Sequence, residues 1–151
     1  MPINPEFVGR SLPPGTPYEV SREKIRDFAD AIGDANPAYS SPAAAQALGY
    51  DDVIAPPTFA ILVAMQLHHD LVRDPALGLD YSRVVHGEQQ FVHHRPIRAG
   101  DVLVGTPRVD DIKTRAGNDM LTWSADIATA QGEPVCKLTS TLVARGVAVE
   151  A

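Results

Sequence analysis

One long stretch, residues 58–72, constrains this chain more than any other feature because it is apolar on almost every helical face. Its apolar members are Phe59, Ile61, Leu62, Val63, Ala64, Met65, Leu67 and Leu71. A helix that is apolar on most faces is a buried helix. The stretch therefore predicts a central helix of about four turns and about 22 Å, starting near Pro57.

The second half of the chain changes from helical to strand periodicity. Extended runs are predicted at 84–94, 102–112, 121–127 and 135–144, and in the third of them apolar and polar residues alternate strictly. Pro107 indicates a bulge or a sheet edge, and residues 113–119, with Gly117, indicate a polar hairpin loop. The helices come first in the chain, and the strands that follow are connected by short turns. This order predicts an α+β fold, with an antiparallel sheet wrapped around the long central helix.

The first half contains signals for two shorter helices. Ser21 is typical of an N-cap and Gly33 of a helix end, so one helix is expected between them. A second is expected to begin after Ser41, with Pro42 in its first turn, and to end before Gly49. The proline-rich residues 1–20 are expected to be mostly irregular, with a short extended piece at 18–20.

Length and charge limit the class of protein. A chain of 151 residues is expected to form a single domain, 1–151. A net charge of -6 without a basic stripe argues against binding to nucleic acid or to an anionic membrane. The longest apolar run, 59–67, is far shorter than the roughly 20 residues that span a bilayer. The single cysteine, Cys136, excludes an internal disulfide and suits a cytoplasmic location.

The histidines do not have the spacing of a metal site. His68 and His69 are adjacent on the predicted helix and therefore face different directions. His93 and His94 alternate across a predicted strand. No metal is expected. His86 and Glu88, two residues apart on that strand, would share a face and form a candidate acid/base pair, although a role at an interface or at the strand end is the preferred interpretation.

Five short motifs together resemble a known family. They are GDANPAY at 33–39, ALGY at 47–50, IAPPTF at 54–59, HGEQQF at 86–91 and RPIRAGD at 95–101. In this combination the chain resembles the MaoC-like dehydratases of the N-terminal-domain type, in particular the non-catalytic subunits of actinobacterial (3R)-hydroxyacyl-ACP dehydratases. The resemblance implies a hot-dog fold and two such units side by side, with an acyl-thioester channel between them. It implies no cofactor beyond the CoA or acyl carrier protein that bears the substrate.

The resemblance also assigns catalytic places, and this sequence departs from two of them. Active members carry D-x-N-P-x-H, whose Asp and His handle the water molecule and the α-proton. Asp34 and Asn36 match, but Tyr39 stands in the His place. A phenol with a pKa near 10 is a poor base at neutral pH. The glycine whose N–H polarises the thioester carbonyl falls at Pro57, which has no N–H.

The remaining candidate residues would bind substrate. Thr58 keeps an N–H beside the Pro57 place, and Phe59 follows it as a core or channel residue. His86 is a candidate for the channel, and Arg95 for the phosphates of CoA or of the phosphopantetheine arm.

Three functions remain open, and all of them start from the expectation that a lone curved sheet pairs its edge with a second copy or a relative. The first is a partner subunit that shapes the acyl channel for a related hot-dog chain carrying the intact Asp and His, in fatty-acid-type metabolism. The second is a self-sufficient homodimeric enoyl-CoA hydratase that uses Asp34 with another acid such as His86. The third is a non-enzymatic module that binds acyl thioesters; a thioesterase is a weaker fourth.

Overall fold

The structure is a computed structural model that describes residues 2–146. The expected domain bounds, 1–151, include residue 1 and residues 147–151, which lie outside the described part. The helices are α1 (Arg22–Ile32), α2 (Pro42–Ala47) and α3 (Ile61–Val72), with 3-10 turns at Pro5–Phe7, Pro37–Tyr39 and Tyr81–Arg83. The strands are β1 (Tyr18–Glu19), β2 (Val84–His93), β3 (Val102–Arg115), β4 (Asn118–Thr129) and β5 (Pro134–Ala144).

The five strands form one curled antiparallel sheet in the order β1-β3-β4-β5-β2. The helices precede the four long strands in the chain, and α3 packs against β3. The predicted α+β class is therefore confirmed, with β2 at one edge of the sheet.

The short helices follow their capping signals. The Ser21 hydroxyl accepts a hydrogen bond from the Lys24 N–H at 3.0 Å, and Gly33 ends α1 in the left-handed region with φ 73°. The Ser41 hydroxyl likewise accepts from the Ala44 N–H at 3.2 Å at the start of α2. Each cap satisfies a backbone group that the helix itself leaves unpaired.

The central helix begins later than predicted, at Ile61, and has 12 residues. Residues 57–60 form a turn in which the Phe59 N–H donates to the Pro56 carbonyl and the Ile61 N–H to the Thr58 carbonyl. Such i→i+3 bonds tighten the chain where an α-helix has not yet started. The helix is also not buried all round, since Met65 is 61% exposed while Leu67 is buried.

The hairpin between β3 and β4 is tighter than the predicted loop at 113–119. Both strands continue through that segment, and only Ala116 and Gly117 form the turn, with φ of 50° and 75°. Two successive residues with positive φ match the twist of antiparallel strands and allow a two-residue turn. Pro107 does lie toward a sheet edge, where its carbonyl accepts from the N–H of Leu12 in residues 2–17, here called the N-terminal arm.

A register shift in β2 overturns the prediction that His86 and Glu88 share a face. His86 pairs with Leu142 and Glu88 with Thr141 on β5. Consecutive residues of a strand point to opposite faces, so His86 lies on the inner face with Gln89 and Glu88 lies on the outer face. Gly87 sits at the bulge between them. The two side chains do not form an acid/base pair on one face.

Candidate functional site

Asp34 and Asn36 build the turn that follows α1. The Asp34 carboxylate accepts the Asn36 N–H at 3.1 Å, and the Asn36 side-chain oxygen accepts the Ala38 N–H at 3.0 Å. Both residues are exposed. These Asx contacts fix the short 3-10 turn that carries Tyr39.

Tyr39 is buried beside this turn, with 7% of its surface exposed. Burial raises the pKa of its phenol, the negative charge of Asp34 raises it further, and a hydrogen bond with Asn36 acts in the opposite direction. The net direction is upward, so the phenol stays protonated at neutral pH. The structure thus brings Asp34, Asn36 and Tyr39 together, but the member in the His place cannot accept a proton there.

The turn before α3 is held by a histidine that the sequence did not single out for this place. The His93 Nε2 atom lies 2.7 Å from the Pro57 carbonyl oxygen. Because a carbonyl only accepts, the ring carries its proton on Nε2. Pro57 and Thr58 are exposed, and the Ile54 N–H donates to the Ala38 carbonyl, which connects this segment to the Tyr39 turn.

Phe59 lies in the core. It is fully buried, and its ring makes edge contacts with Phe28 at 5.4 Å and Tyr18 at 6.3 Å between centroids. Its contacts among the described residues are those of a packing residue that fixes the turn preceding α3.

Arg95 is engaged by two carboxylates. Its guanidinium makes a bidentate contact with Asp101, both nitrogen–oxygen distances being 2.9 Å, and its Nε lies 2.7 Å from Glu133. These hydrogen bonds, with Asp101 first, raise the pKa of the guanidinium, and hydrogen bonding to Arg95 lowers the pKa of Glu133. A phosphate group would have to displace these carboxylates. Arg95 therefore ties the end of β2 to two turns of the sheet.

A cavity of about 230 Å³ lies between α3 and the inner face of the sheet. Its lining residues are Ile61, Ala64, Met65, His68, Tyr81, Val84, His86, Gln89, Trp123, Ser140 and Leu142. Of the predicted site residues, His86 alone is in this lining, where its Nε2 lies 3.0 Å from the Ser140 hydroxyl. The bulge at Gly87 turns His86 toward this cavity.

Two residues of this lining, Trp123 and His68, each have a buried side-chain nitrogen without a partner among the described residues, Trp123 Nε1 and His68 Nε2. The two rings stack nearly parallel, with centroids 6.3 Å apart. Burial lowers the pKa of His68, and the neighbouring His86 and His69 lower it further. The helical spacing of Ile61, Ala64 and His68 was the available sequence signal for this wall.

Two other kinds of feature are not found in residues 2–146. No three His, Cys, Asp or Glu side chains in that range come together as a metal-binding group. None of the helices in the same range is both long and apolar enough to cross a bilayer.

The sequence is similar to a defined family and to curated relatives. Residues 6–138 match the family described as FAS1-like, dehydratase domain region. A UPF0336 protein of Saccharopolyspora erythraea is 62% identical, over 98% of this chain and 95% of that protein. A UPF0336 protein of Streptomyces avermitilis is 53% identical, over 96% of this chain and 97% of that protein.

Solved structures agree with the sequence comparison. A chain of the C-terminally truncated HadBC (3R-hydroxyacyl-ACP dehydratase) complex from Mycobacterium tuberculosis is 32% identical, with a TM-score of 0.80 over 91% of this chain and 96% of that one. A MaoC-like dehydratase is 34% identical, with a TM-score of 0.84 over 93% of this chain and 42% of that one. The predicted MaoC-like hot-dog fold is confirmed, and the chain belongs to the FAS1-like dehydratase family, among its UPF0336 proteins.

Proposed function

We propose that this chain is the non-catalytic, channel-forming subunit of a (3R)-hydroxyacyl-thioester dehydratase, which also works as a (2E)-enoyl-thioester hydratase. The observation that carries the proposal is the state of Tyr39. It occupies the His place of D-x-N-P-x-H, is buried, and has a raised pKa beside Asp34. The chain is proposed to act as one domain, 1–151, in the cytoplasm.

The chemistry explains why that position matters. Dehydration removes the α-proton and expels the 3-hydroxyl, which takes up a proton and leaves as water. Hydration is the reverse. Both directions need a group that can lose and regain a proton near neutral pH, as an imidazole does. A buried, neutral phenol does not serve, so the base has to come from another chain.

The part of the proposed site that this chain would contribute also lacks one hydrogen-bond donor for the thioester carbonyl. Pro57 has no N–H, and its own carbonyl is held by His93. Losing one such donor typically costs about 3 kcal/mol of transition-state stabilisation. The exposed Thr58, and Asp34 with Asn36, are proposed to border the acyl-thioester site without completing it.

The proposed partner is a related hot-dog subunit with the intact Asp and His, and the proposed substrate is an acyl thioester on CoA or acyl carrier protein, with no other cofactor. Similarity to a chain of the HadBC complex supports this assembly. The edge strand β2 supports it too, because within residues 2–146 it has a sheet neighbour on one side only.

The test measures hydration of a short (2E)-enoyl-CoA by the purified chain, alone and mixed with a hot-dog chain that carries D-x-N-P-x-H. The chain alone is expected to show little turnover, and the mixture ordinary turnover of about 10 per second. Tyr39→His is expected to restore some activity to the chain alone. Tyr39→Phe is the matched control, because it keeps the ring and supplies no base.

Other outcomes identify other functions. Ordinary turnover by the unmixed wild-type chain would replace the proposal with the self-sufficient homodimeric hydratase. Binding of the thioester without turnover in any mixture would favour the non-enzymatic module. Asp34→Asn should abolish whatever Tyr39→His restores. Pro57→Gly added to Tyr39→His should gain more than the two single changes together, since both groups serve one transition state.

A further inference from the structure

The N-terminal arm takes the place of an edge strand beside β3. Four backbone hydrogen bonds of 2.8–3.0 Å connect the two segments, three from N–H groups of the arm and one from an N–H group of β3. The donor and acceptor pairs are Gly9 to Val109, Leu12 to Pro107, Gly15 to Gly105 and Val109 to Arg10. The short strand β1 continues the same edge by pairing with Val102 and Leu103. The arm and β1 together therefore cover the outer edge of β3 along residues 102–109.

The covered and uncovered parts of β3 differ in charge. Residues 102–109, VLVGTPRV, contain one charged side chain, whereas residues 110–115, DDIKTR, contain four. Charged side chains protect an exposed sheet edge against pairing with another chain, and an edge without them needs a cover. The arm thus covers the part of β3 that its own side chains leave unprotected.

The N-terminal arm is poorly suited to accept a further strand on its own outer side. It contains five prolines, namely Pro2, Pro5, Pro13, Pro14 and Pro17. Proline has no backbone N–H, so these positions cannot donate a hydrogen bond to a neighbouring strand. The arm can therefore close the β3 edge without opening an equivalent edge beside it.

Buried contacts hold the arm in place. The side chains of Ile3 and Phe7 are buried in the core. The Ile3 N–H donates at 3.0 Å to the carboxylate of Asp119, which is 1% exposed and lies in β4. The Asn4 N–H donates at 2.9 Å to the carbonyl of Leu77, in the segment after α3. Two buried side chains and two backbone contacts thus anchor the arm before it reaches β3.

We propose that the N-terminal arm occupies a second pairing surface of this chain, the edge of β3, and so leaves β2 as the edge through which the chain associates. The partner that the β3 edge fits is the same strand of a second copy, because two antiparallel β3 strands form a self-complementary pair. With both β2 and β3 open, each copy would bind two others, and assembly would not stop at a dimer. The inference concerns assembly and goes beyond the proposed chemistry.

The first experiment releases the arm in the full chain. Ile3→Asp with Phe7→Asp, here called the released variant, replaces both buried anchors with charges. Hydrogen exchange should show rapid exchange of the arm amides while those of β4 and β5 stay protected. Light scattering should show a mean mass about twice that of the wild type or more, rising with concentration. Val8→Asp with Ser11→Asp is the matched control and should keep the wild-type mass, because both side chains are exposed.

Two further variants locate the new contact. Thr106 is exposed in the covered part of β3. Thr106→Lys added to the released variant should return the mass to the wild-type value, because edge lysines oppose strand pairing. Val85→Lys with Val92→Lys places the same charges on β2, where both valines are exposed. Adding the released arm to that pair should double the mass, since β3 is then the open edge.

A reversible lock tests the same inference if the released variant does not fold. Ser11 and Arg108 are paired across the arm and β3, so Ser11→Cys with Arg108→Cys should form a disulfide on oxidation. The native Cys136 is buried and does not compete. In mild urea, at a concentration where exchange shows the arm open, the reduced variant should gain mass about twofold and the oxidised variant should not.

Three results would overturn the inference. One is an unchanged mass in a folded released variant whose arm amides exchange rapidly. Another is a mass increase that survives Thr106→Lys. The last is equal behaviour of the oxidised and reduced lock in mild urea. None of these results affects turnover by the mixed subunits, which decides the proposed function separately.

Discussion

Asp101 is a buried carboxylate whose side chain is 6% exposed and whose charge is matched chiefly by Arg95. Replacing Arg95 with Met leaves that carboxylate without its bidentate partner. Removing one member of a buried pair typically costs 3–5 kcal/mol, and the Arg98 N–H, 2.9 Å away, still stabilises Asp101. Arg95→Met is therefore expected to lower the free energy of unfolding by about 3 kcal/mol, measured by urea denaturation.

The control is the ion pair between Arg22 and Asp52, whose Arg22 side chain is 62% exposed. Arg22→Met should cost clearly less than Arg95→Met because water solvates the freed carboxylate. The double variant Arg95→Met with Asp101→Asn should lose less stability than the sum of its single changes. Additive losses would contradict a direct ion pair.

At the same scale, the sequence located some functional side chains better than others. Asp34, Asn36 and Tyr39 are close in the chain, and their proximity follows from one turn. The contact between Arg95 and Glu133 joins residues 38 positions apart, and that between His86 and Ser140 joins residues 54 apart. Sequence periodicity carries no signal for such contacts, because strand pairing creates them.

At the scale of the elements, α3 meets β3 and the N-terminal arm through two glycines. A Cβ placed on Gly105 or on Gly15 would lie 2.5 Å from a methyl carbon of Leu67. Gly105→Ala is expected to destabilise by about 1–3 kcal/mol through overpacking. Leu67→Ala is expected to cost about 2–5 kcal/mol through lost burial and a cavity. Thermal or urea unfolding measures both.

The double variant Leu67→Ala with Gly105→Ala provides the check. Removing the Leu67 methyl groups makes room for the methyl group that the second substitution adds, so the combined loss should be smaller than the sum. If the losses simply add, Leu67 does not occupy the space over Gly105, and the close packing of α3 on β3 is wrong.

At the scale of the whole molecule, β2 is the exposed edge of the sheet. Val85 and Val92 on this strand are 39% and 51% exposed. A long exposed edge strand is a site for pairing with another chain. The chain is therefore expected to be a dimer at micromolar concentration, with itself or with a related hot-dog chain, the two central helices lying roughly antiparallel. Light scattering measures the mass.

Val92→Lys combined with Val85→Lys should shift that mass toward the monomer, because edge lysines oppose strand pairing. Val8→Lys is the matched control, since Val8 is 44% exposed but lies in the N-terminal arm. A wild-type chain that stays monomeric both alone and with a partner carrying D-x-N-P-x-H would contradict the expected assembly.

The sequence by itself determined the features that depend on neighbours in the chain. Local spacing determines the helix caps at Ser21, Gly33 and Ser41 and the α+β order of elements. Capping and hydrophobic periodicity depend on residues only a few positions apart, so they can be recognised in the sequence. The motifs around Asp34 and Tyr39 indicated the family in the same way, because they are contiguous.

Only the tertiary structure decided which side chains meet across the sheet and the helix. One extra residue at Gly87 moves His86 to the inner face and leaves Glu88 outside, because a shift of one residue reverses the face of a strand. The same packing brings Trp123 of β4 against His68 of α3. Trp123 Nε1 and His68 Nε2 are both unpaired among the described residues. Such juxtapositions depend on the register of strands distant in sequence, which residue patterns within a single strand do not encode.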